Sequence, residues 1–283
     1  RRIGNGANAN DVLSRFVGTV SAKHSYFAFL LKELQETAST GIAVRLADGS
    51  IRIELVHGHF ITKGFADPTV YVLDAEGRLE SHTIGNQRLA MQVVDGKTVR
   101  VPVEDPFEAT GLQLGEIHRA VVGLASWYPG AGVEFGFTPA GDLFLIDLYQ
   151  SHATTPPGRS NVLSHGRVVG RVRVLDLPDD AIEQSVERHV HSRRACRSTE
   201  SGDAEILVVR RPLHLLDRLI YEAAPGSLGF ICEGGALLCH LAVVMREHGV
   251  PGWIEPGATG KFTDGERVIL DTRPGSKSVI TRA

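Results

Sequence analysis

The stretch Gly229–Trp253 reads GFICEGGALLCHLAVVMREHGVPGW, and its reading decides the fold of the second half of the chain. "SLGFICE" is a short apolar run of the kind that forms a buried strand. Gly234-Gly235 is a turn. "ALLCHLAVVMREHG" is a helix that Gly249 caps and Pro251 ends. Strand, glycine turn and helix in this order place the imidazole of His240 close to a helix N-terminus. The free N–H groups and the helix dipole there favour negative charge. An imidazole that accepts a phosphoryl group needs that setting: a neutral nitrogen to attack, and a positive field to hold the phosphate that arrives. An ordinary helix histidine satisfies the same pattern, so the residues alone leave both readings open.

Outward from this stretch, strands alternate with helices. "GRVVGRVRVL" is a strand, "DDAIEQSVERHVHSRR" a polar helix, "AEILVVRR" a strand, "HLLDRLIYEA" helical and "ERVILD" a closing strand. That alternation suggests an α/β layer unit. The first half differs. "GIAVRL", "DGS" and "IRIELVHG" make a β-hairpin around a glycine turn. "TVYVLDAEGRLESHTIG" repeats the device, and "QRLAMQVVDGKTVRVPV" makes a third hairpin on Asp95-Gly96. Leu114–Ser126 carries Ile117, Val121, Leu124 and Ala125 at helical spacing. "GVEFGFTPAGDLFLIDL" is a further hairpin, on which Glu134 and Asp147 stand out. Tyr26–Glu36 fits a helix or a buried strand equally. The expected class is α/β, with an antiparallel α+β lobe over 1–152, a linker over 153–164 around "TTPPGR", and an α/β domain over 165–283.

The 283 residues allow two ordinary domains with real cores. Lys and Arg total 30 against 33 Asp and Glu, a net charge of −3, which excludes a strongly basic nucleic-acid binder. The apolar run Leu241–Met245 falls far short of the roughly 20 residues of a membrane helix. No nucleic acid and no membrane are therefore expected as partners. Cys196, Cys232 and Cys239 form no CxxC pair, which suggests a reduced, cytoplasmic protein. A zinc set of Cys232, Cys239, His240 and His248 is conceivable, but its spacing fits no structural zinc pattern. Gly4 and Gly6 read as a terminus rather than a phosphate loop, because no strand precedes them. His189 and His191 among Arg188, Arg193 and Arg194 read as a solvated helix end or an anion patch. Trp127 and Trp253 read as core or interdomain packing, and Lys261 and Arg267 as cations that could face phosphate.

Gly234–Pro251 resembles the phosphohistidine swivelling domain of the phosphoenolpyruvate-utilising family, the group that includes pyruvate phosphate dikinase. The family pattern is roughly GG-x-x-[ST]-H-x-[AG]-[IV]-[VI]-[AS]-R-E-x-G-[IV]-P, and this chain has GG-A-L-L-C-H-L-A-V-V-M-R-E-H-G-V-P. Cys239 replaces the hydroxyl residue, and one extra residue follows the glycines. "IELVHGHFITKGFADPTVYVLDAEGRLESHTIG" and "VEFGFTPAGDLFLIDL" are similar to the closing half of the family's ATP-grasp domain. The glycine-rich loop of that domain falls on His57-Gly58-His59-Phe60-Ile61, and a family arginine falls at Tyr149.

The resemblance implies an ATP-dependent phosphotransferase that relays a phosphoryl group through His240. Glu134 and Asp147 would hold Mg²⁺ against the phosphates of ATP. Glu54, Gly234, Gly235 and Arg246 would contribute to cofactor binding, although Glu54 fits a hairpin surface acid equally well. The implied partner is a small-molecule phosphoryl acceptor. The chain opens on Arg1 rather than Met. The front half of the family's ATP-grasp domain has no counterpart in residues 1–25, so it is expected from preceding sequence or another chain. The alternative is a non-catalytic relative, kept as a phosphocarrier, binding or regulatory module.

Overall fold

The computed structural model describes residues 35–95, 97–150, 161–176, 204–276 and 279–282, together with Ser14. The chain forms a mixed α+β structure around two large sheets.

The first sheet has the order β4-β3-β2-β1-β7-β8. β1 (Ser39–Arg45) and β2 (Ile51–His57) form the first expected hairpin. Its turn is closed by Asp48, whose Oδ1 accepts from the Ser50 amide at 3.0 Å, and by Gly49 at φ 88°. β3 (Thr69–Leu73) and β4 (Leu79–Thr83) form the second hairpin. The third, β5 (Leu89–Val94) with β6 (Lys97–Pro102), stands apart as a two-stranded ribbon. α1 (Gly111–Ala125) follows, then β7 (Ala131–Phe137) and β8 (Leu143–Gln150).

α1 begins three residues earlier than its apolar spacing predicts. Thr110 caps it: the hydroxyl accepts from the Gln113 amide, and the Gln113 side chain accepts from the Thr110 amide. This reciprocal box satisfies N–H groups that would otherwise have no partner. The helix lays Leu114, Ile117 and Val121 on Ile53, Leu55, Tyr71, Phe135 and Phe137 of the sheet. Each such fully buried side chain contributes about 1.5–3 kcal/mol. The opposite face carries Ile42, Val44 and Val56, and its cover includes Leu238 from the second half of the chain.

The second sheet has the order β15-β14-β10-β11-β12-β13-β9. Its strands are β9 (Val162–Ser164), β10 (Arg167–Leu175), β11 (Ala204–Val209), β12 (Leu228–Cys232), β13 (Gly252–Ile254), β14 (Arg267–Asp271) and β15 (Ile280–Arg282). β10 to β13 run parallel, and the flanking pairings are antiparallel. α2 (Asp217–Glu222) and α3 (His240–Glu247) supply Leu219, Leu241, Val244 and Met245 to the core on one face. The other face packs Val172, Ile206, Ile231 and Leu270 with Ala258 of α4 (Ala258–Lys261). Burial on both faces explains why β11 and β12 read as unbroken apolar runs.

Several sequence expectations change here. Val162–Ser164, expected within the linker, is an edge strand of the second sheet. β15 follows β14, so "VILD" does not close the sheet. The helix expected from Ala236 starts at His240 instead. Trp127 is 80% exposed rather than packed, whereas Trp253 packs partly against the second sheet's core. The expected polar helix over 179–194, the loop over 154–159, Gly4, Gly6, Cys196, and residues 26–34 of the Tyr26–Glu36 segment lie outside the described residues. No helix among the described residues is long and apolar enough to cross a membrane.

Candidate functional site

His240 is the first residue of α3, half-exposed, with Cys239 as the N-cap residue. Cys239 is in extended conformation at φ −67° and ψ 163°, but its side chain makes no cap hydrogen bond. The thiol instead lies 3.6 Å from the Pro212 carbonyl, and burial pushes its pKa up to about 12. The amides of Leu241 and Ala242 face the sulfur, but sulfur is a weak acceptor, so it caps the helix poorly.

Asp217, the first residue of α2, places Oδ2 3.3 Å from His240 Nε2. Hydrogen bonding to Asp217 raises the imidazole pKa against the opposing effect of burial. In the neutral ring this contact keeps the proton on Nε2 and the lone pair on Nδ1. His214, one turn before, is shifted the other way, first by burial and then by the charge of Lys63.

The loop before His240 is held from both sides. Glu54 of β2 is fully buried, and its two carboxylate oxygens accept from the amides of Leu237 at 3.1 Å and Leu238 at 3.0 Å. Arg52 Nε donates to Oε1 of the same carboxylate at 2.8 Å. From the other side, Arg246 Nη1 donates to the Leu237 carbonyl at 3.0 Å and the Leu163 carbonyl at 2.8 Å. The peptide groups flanking Leu237 are thus fixed by charges from both halves of the chain. Arg211 adds a second link: it donates to the Phe65 carbonyl and pairs with Asp67 at 3.3 Å.

The two glycines meet protein atoms. A Cβ on Gly234 would sit 2.5 Å from Asp67 Oδ1. One on Gly235, at φ 114°, would sit 2.3 Å from the Pro212 ring. Glycine is required at both positions by the close approach of neighbouring chain segments.

Glu54, Ile42, Glu134 and Asp147 are direct ladder partners on β2, β1, β7 and β8. Direct partners share a sheet face, at about 4.8 Å per strand. All four therefore lie on the face on which Leu238 packs. Glu134 is buried and Asp147 exposed, and a bulge beyond Glu134 shifts the register toward the turn. Two neighbouring carboxylates are a hard oxygen donor set, suited to Mg²⁺ when phosphate oxygens complete the shell. Among the described residues no three His, Cys, Asp or Glu side chains form a metal-holding group. Cys232, Cys239, His240 and His248 are accordingly not assembled for zinc; His248 packs edge-on against Tyr221.

Of the sequence candidates, the structure brings together Glu54, Arg246, Gly234, Gly235 and His240, with Glu134 and Asp147 along the same ladder row. Lys261, the last residue of α4, pairs with Glu255. Arg267 sits on β14, opposite Arg171. His189 and His191 are outside the described residues. Sequence reasoning missed Asp217, Arg52, His214 and the Asp67–Arg211 pair. Only Asp217 has a local signal, as the acid that opens a short helix. No protein-family model matches the chain, and comparison with curated proteins gives no match.

Proposed function

We propose that this chain belongs to an ATP-dependent phosphotransferase in which His240 carries the phosphoryl group. The observation that carries this reading is the docked loop. Glu54 fixes Leu237 and Leu238 on the same sheet face as Glu134 and Asp147, and His240 follows two residues later at a helix start. In this reading the first sheet is the back of an ATP-grasp lobe and the second is a phosphohistidine domain.

Glu134 and Asp147 would hold Mg²⁺, which supplies charge neutralisation on the phosphates of bound ATP. The work of the chain itself is positioning. Asp217 orients the ring and fixes its tautomer. A nitrogen lone pair attacks phosphorus, the N–P bond forms as the bridging P–O bond breaks, and the leaving nucleotide keeps that oxygen. The positive end of the α3 dipole at His240 would favour the incoming charge. The acceptor that later takes the group from His240 is a small molecule bearing a hydroxyl or carboxyl.

One observation favours a second reading, a non-catalytic docking or carrier module. Glu54, which the resemblance assigns to the nucleotide site, spends its carboxylate on the loop. In the loop that aligns with the family's glycine-rich one, Phe60 occupies the left-handed region at φ 69°, a conformation costly for a bulky side chain. The experiment is incubation with labelled ATP and Mg²⁺. Acid-labile, base-stable label that disappears in His240→Ala supports the phosphotransferase. Absence of label together with absence of nucleotide binding overturns it and leaves the docking module.

A further inference from the structure

We infer that the cleft between the β5–β6 ribbon and the lobe junction is a binding site for a small phosphorylated molecule, with Arg88, Arg100 and Arg211 as its anion-binding groups. The site is independent of the phosphoryl chemistry proposed for His240. The three arginines line one cavity, whose apolar wall includes Phe65, Leu89 and Met91. They come from three places: the residue before β5, the middle of β6, and the segment after β11.

Charge makes the case. Arg211 is neutralised by Asp67. Arg88 and Arg100 are exposed and have no carboxylate partner among the described residues. Arg100 rests 6.0 Å from the centroid of the Phe65 ring, which holds it over the cavity. Gln87, also in the wall, spends its amide on the His57 backbone and the Leu89 carbonyl. The cavity therefore offers cationic donors with no competing acceptor side chain other than Asp67. A chain of net charge −3 has no general excess of cations to scatter here. An anion in the cavity would meet the charges of Arg88 and Arg100, and the guanidinium fork matches phosphate geometry.

Size and lining set the ligand class. The cavity volume is about 50 Å³. That is several times the space one water needs, which leaves room for a phosphate group. The apolar side chains beside it suit a flat or apolar body attached to that phosphate. Phe65 also meets His214 edge-on at 5.8 Å, so one ring is shared between this cavity and the surroundings of His240.

The test is calorimetric titration of the whole protein at low salt with phenyl phosphate, inorganic phosphate and benzoate. Expected is saturable binding in the order phenyl phosphate, inorganic phosphate, benzoate. Arg88→Ala and Arg100→Ala each weaken phenyl phosphate at least tenfold, Arg88→Lys weakens it less, and His240→Ala leaves it unchanged. Unfolding midpoints without ligand, equal to wild type, show that these exposed positions leave the fold intact. No saturable binding, or binding unaffected by both alanine variants, overturns the site. Benzoate binding as tightly as phenyl phosphate overturns the phosphate assignment. Loss of binding in His240→Ala overturns its independence.

Discussion

Replacing Glu54 by alanine tests the docking of the histidine loop directly. The carboxylate is fully buried and serves three donors: two backbone amides and Arg52 Nε. Arg52 is itself only 11% exposed. Removing one partner of such a buried pair costs about 3–5 kcal/mol, because the other charge is left without a counter-charge. The two amides lose their acceptor in the same step, which holds the effect at the upper end of that range. Glu54→Gln keeps one oxygen as an acceptor but also leaves Arg52 without a counter-charge, so it should cost about 3 kcal/mol, the lower end of that range. The assay is urea unfolding followed by far-UV circular dichroism and by Trp253 fluorescence in a Trp127→Phe background. Trp127 is on the exposed end of the first lobe, so its removal isolates the second lobe's signal. Wild type should show one transition by both probes. In Glu54→Ala the transitions should separate, since the lobes lose their buried link. A cost below about 1 kcal/mol with coincident transitions would refute the reasoning. A double variant with Arg52→Ala should then cost less than the sum of the singles.

Two further outcomes follow from the same site. Hydrogen bonding to Asp217 raises the His240 pKa, so this pair stabilises the fold fully below the unfolded histidine value and less as pH rises through the raised folded one. At half-exposed positions that contribution is under about 1 kcal/mol. Asp217→Asn should flatten this pH dependence. It should also move the acidic limb of His240 phosphorylation to lower pH, which stopped-time labelling across pH 5–9 reads; an unmoved limb strips Asp217 of its role in orienting the ring. Cys239→Ser should stabilise α3 by about 0.5–1 kcal/mol through a hydroxyl cap, seen as a higher urea midpoint. In the native protein the Cys239 thiol, its pKa held at about 12, should react with a disulfide reagent only as fast as the protein opens.

What the sequence discloses is local. Alternation and glycine turns announce β1–β2 and β3–β4, and the unbroken apolar runs announce β11 and β12, because their period or length is written within a few residues. Thr110 and Gln113 also encode the start of α1, although apolar spacing alone places it later. The helix start at His240 rather than Ala236 is a tertiary effect. Glu54 takes the amides of Leu237 and Leu238 out of any local helix pattern. The same cause hides Glu54 itself: its partners lie 183 and 184 residues away, beyond any motif. The purpose of Gly234 is likewise invisible, because the atom that excludes a side chain there belongs to Asp67 in the other lobe. Trp127 shows the converse, a large aromatic that chemistry favours burying and topology leaves on the surface.

The long reach of the Glu54 link sets an order of events during synthesis. A ribosome adds about 5–20 residues per second, so an interval of roughly 10–40 s separates the appearance of Glu54 from that of its two amide partners. From the completion of β8 until Leu238 arrives, the first lobe carries a buried-type carboxylate and the apolar row of Ile42, Val44 and Val56 without Leu238 to cover them. The nascent lobe is therefore at its stickiest before translation ends, and a chaperone that shields this sheet face has a defined window in which to act.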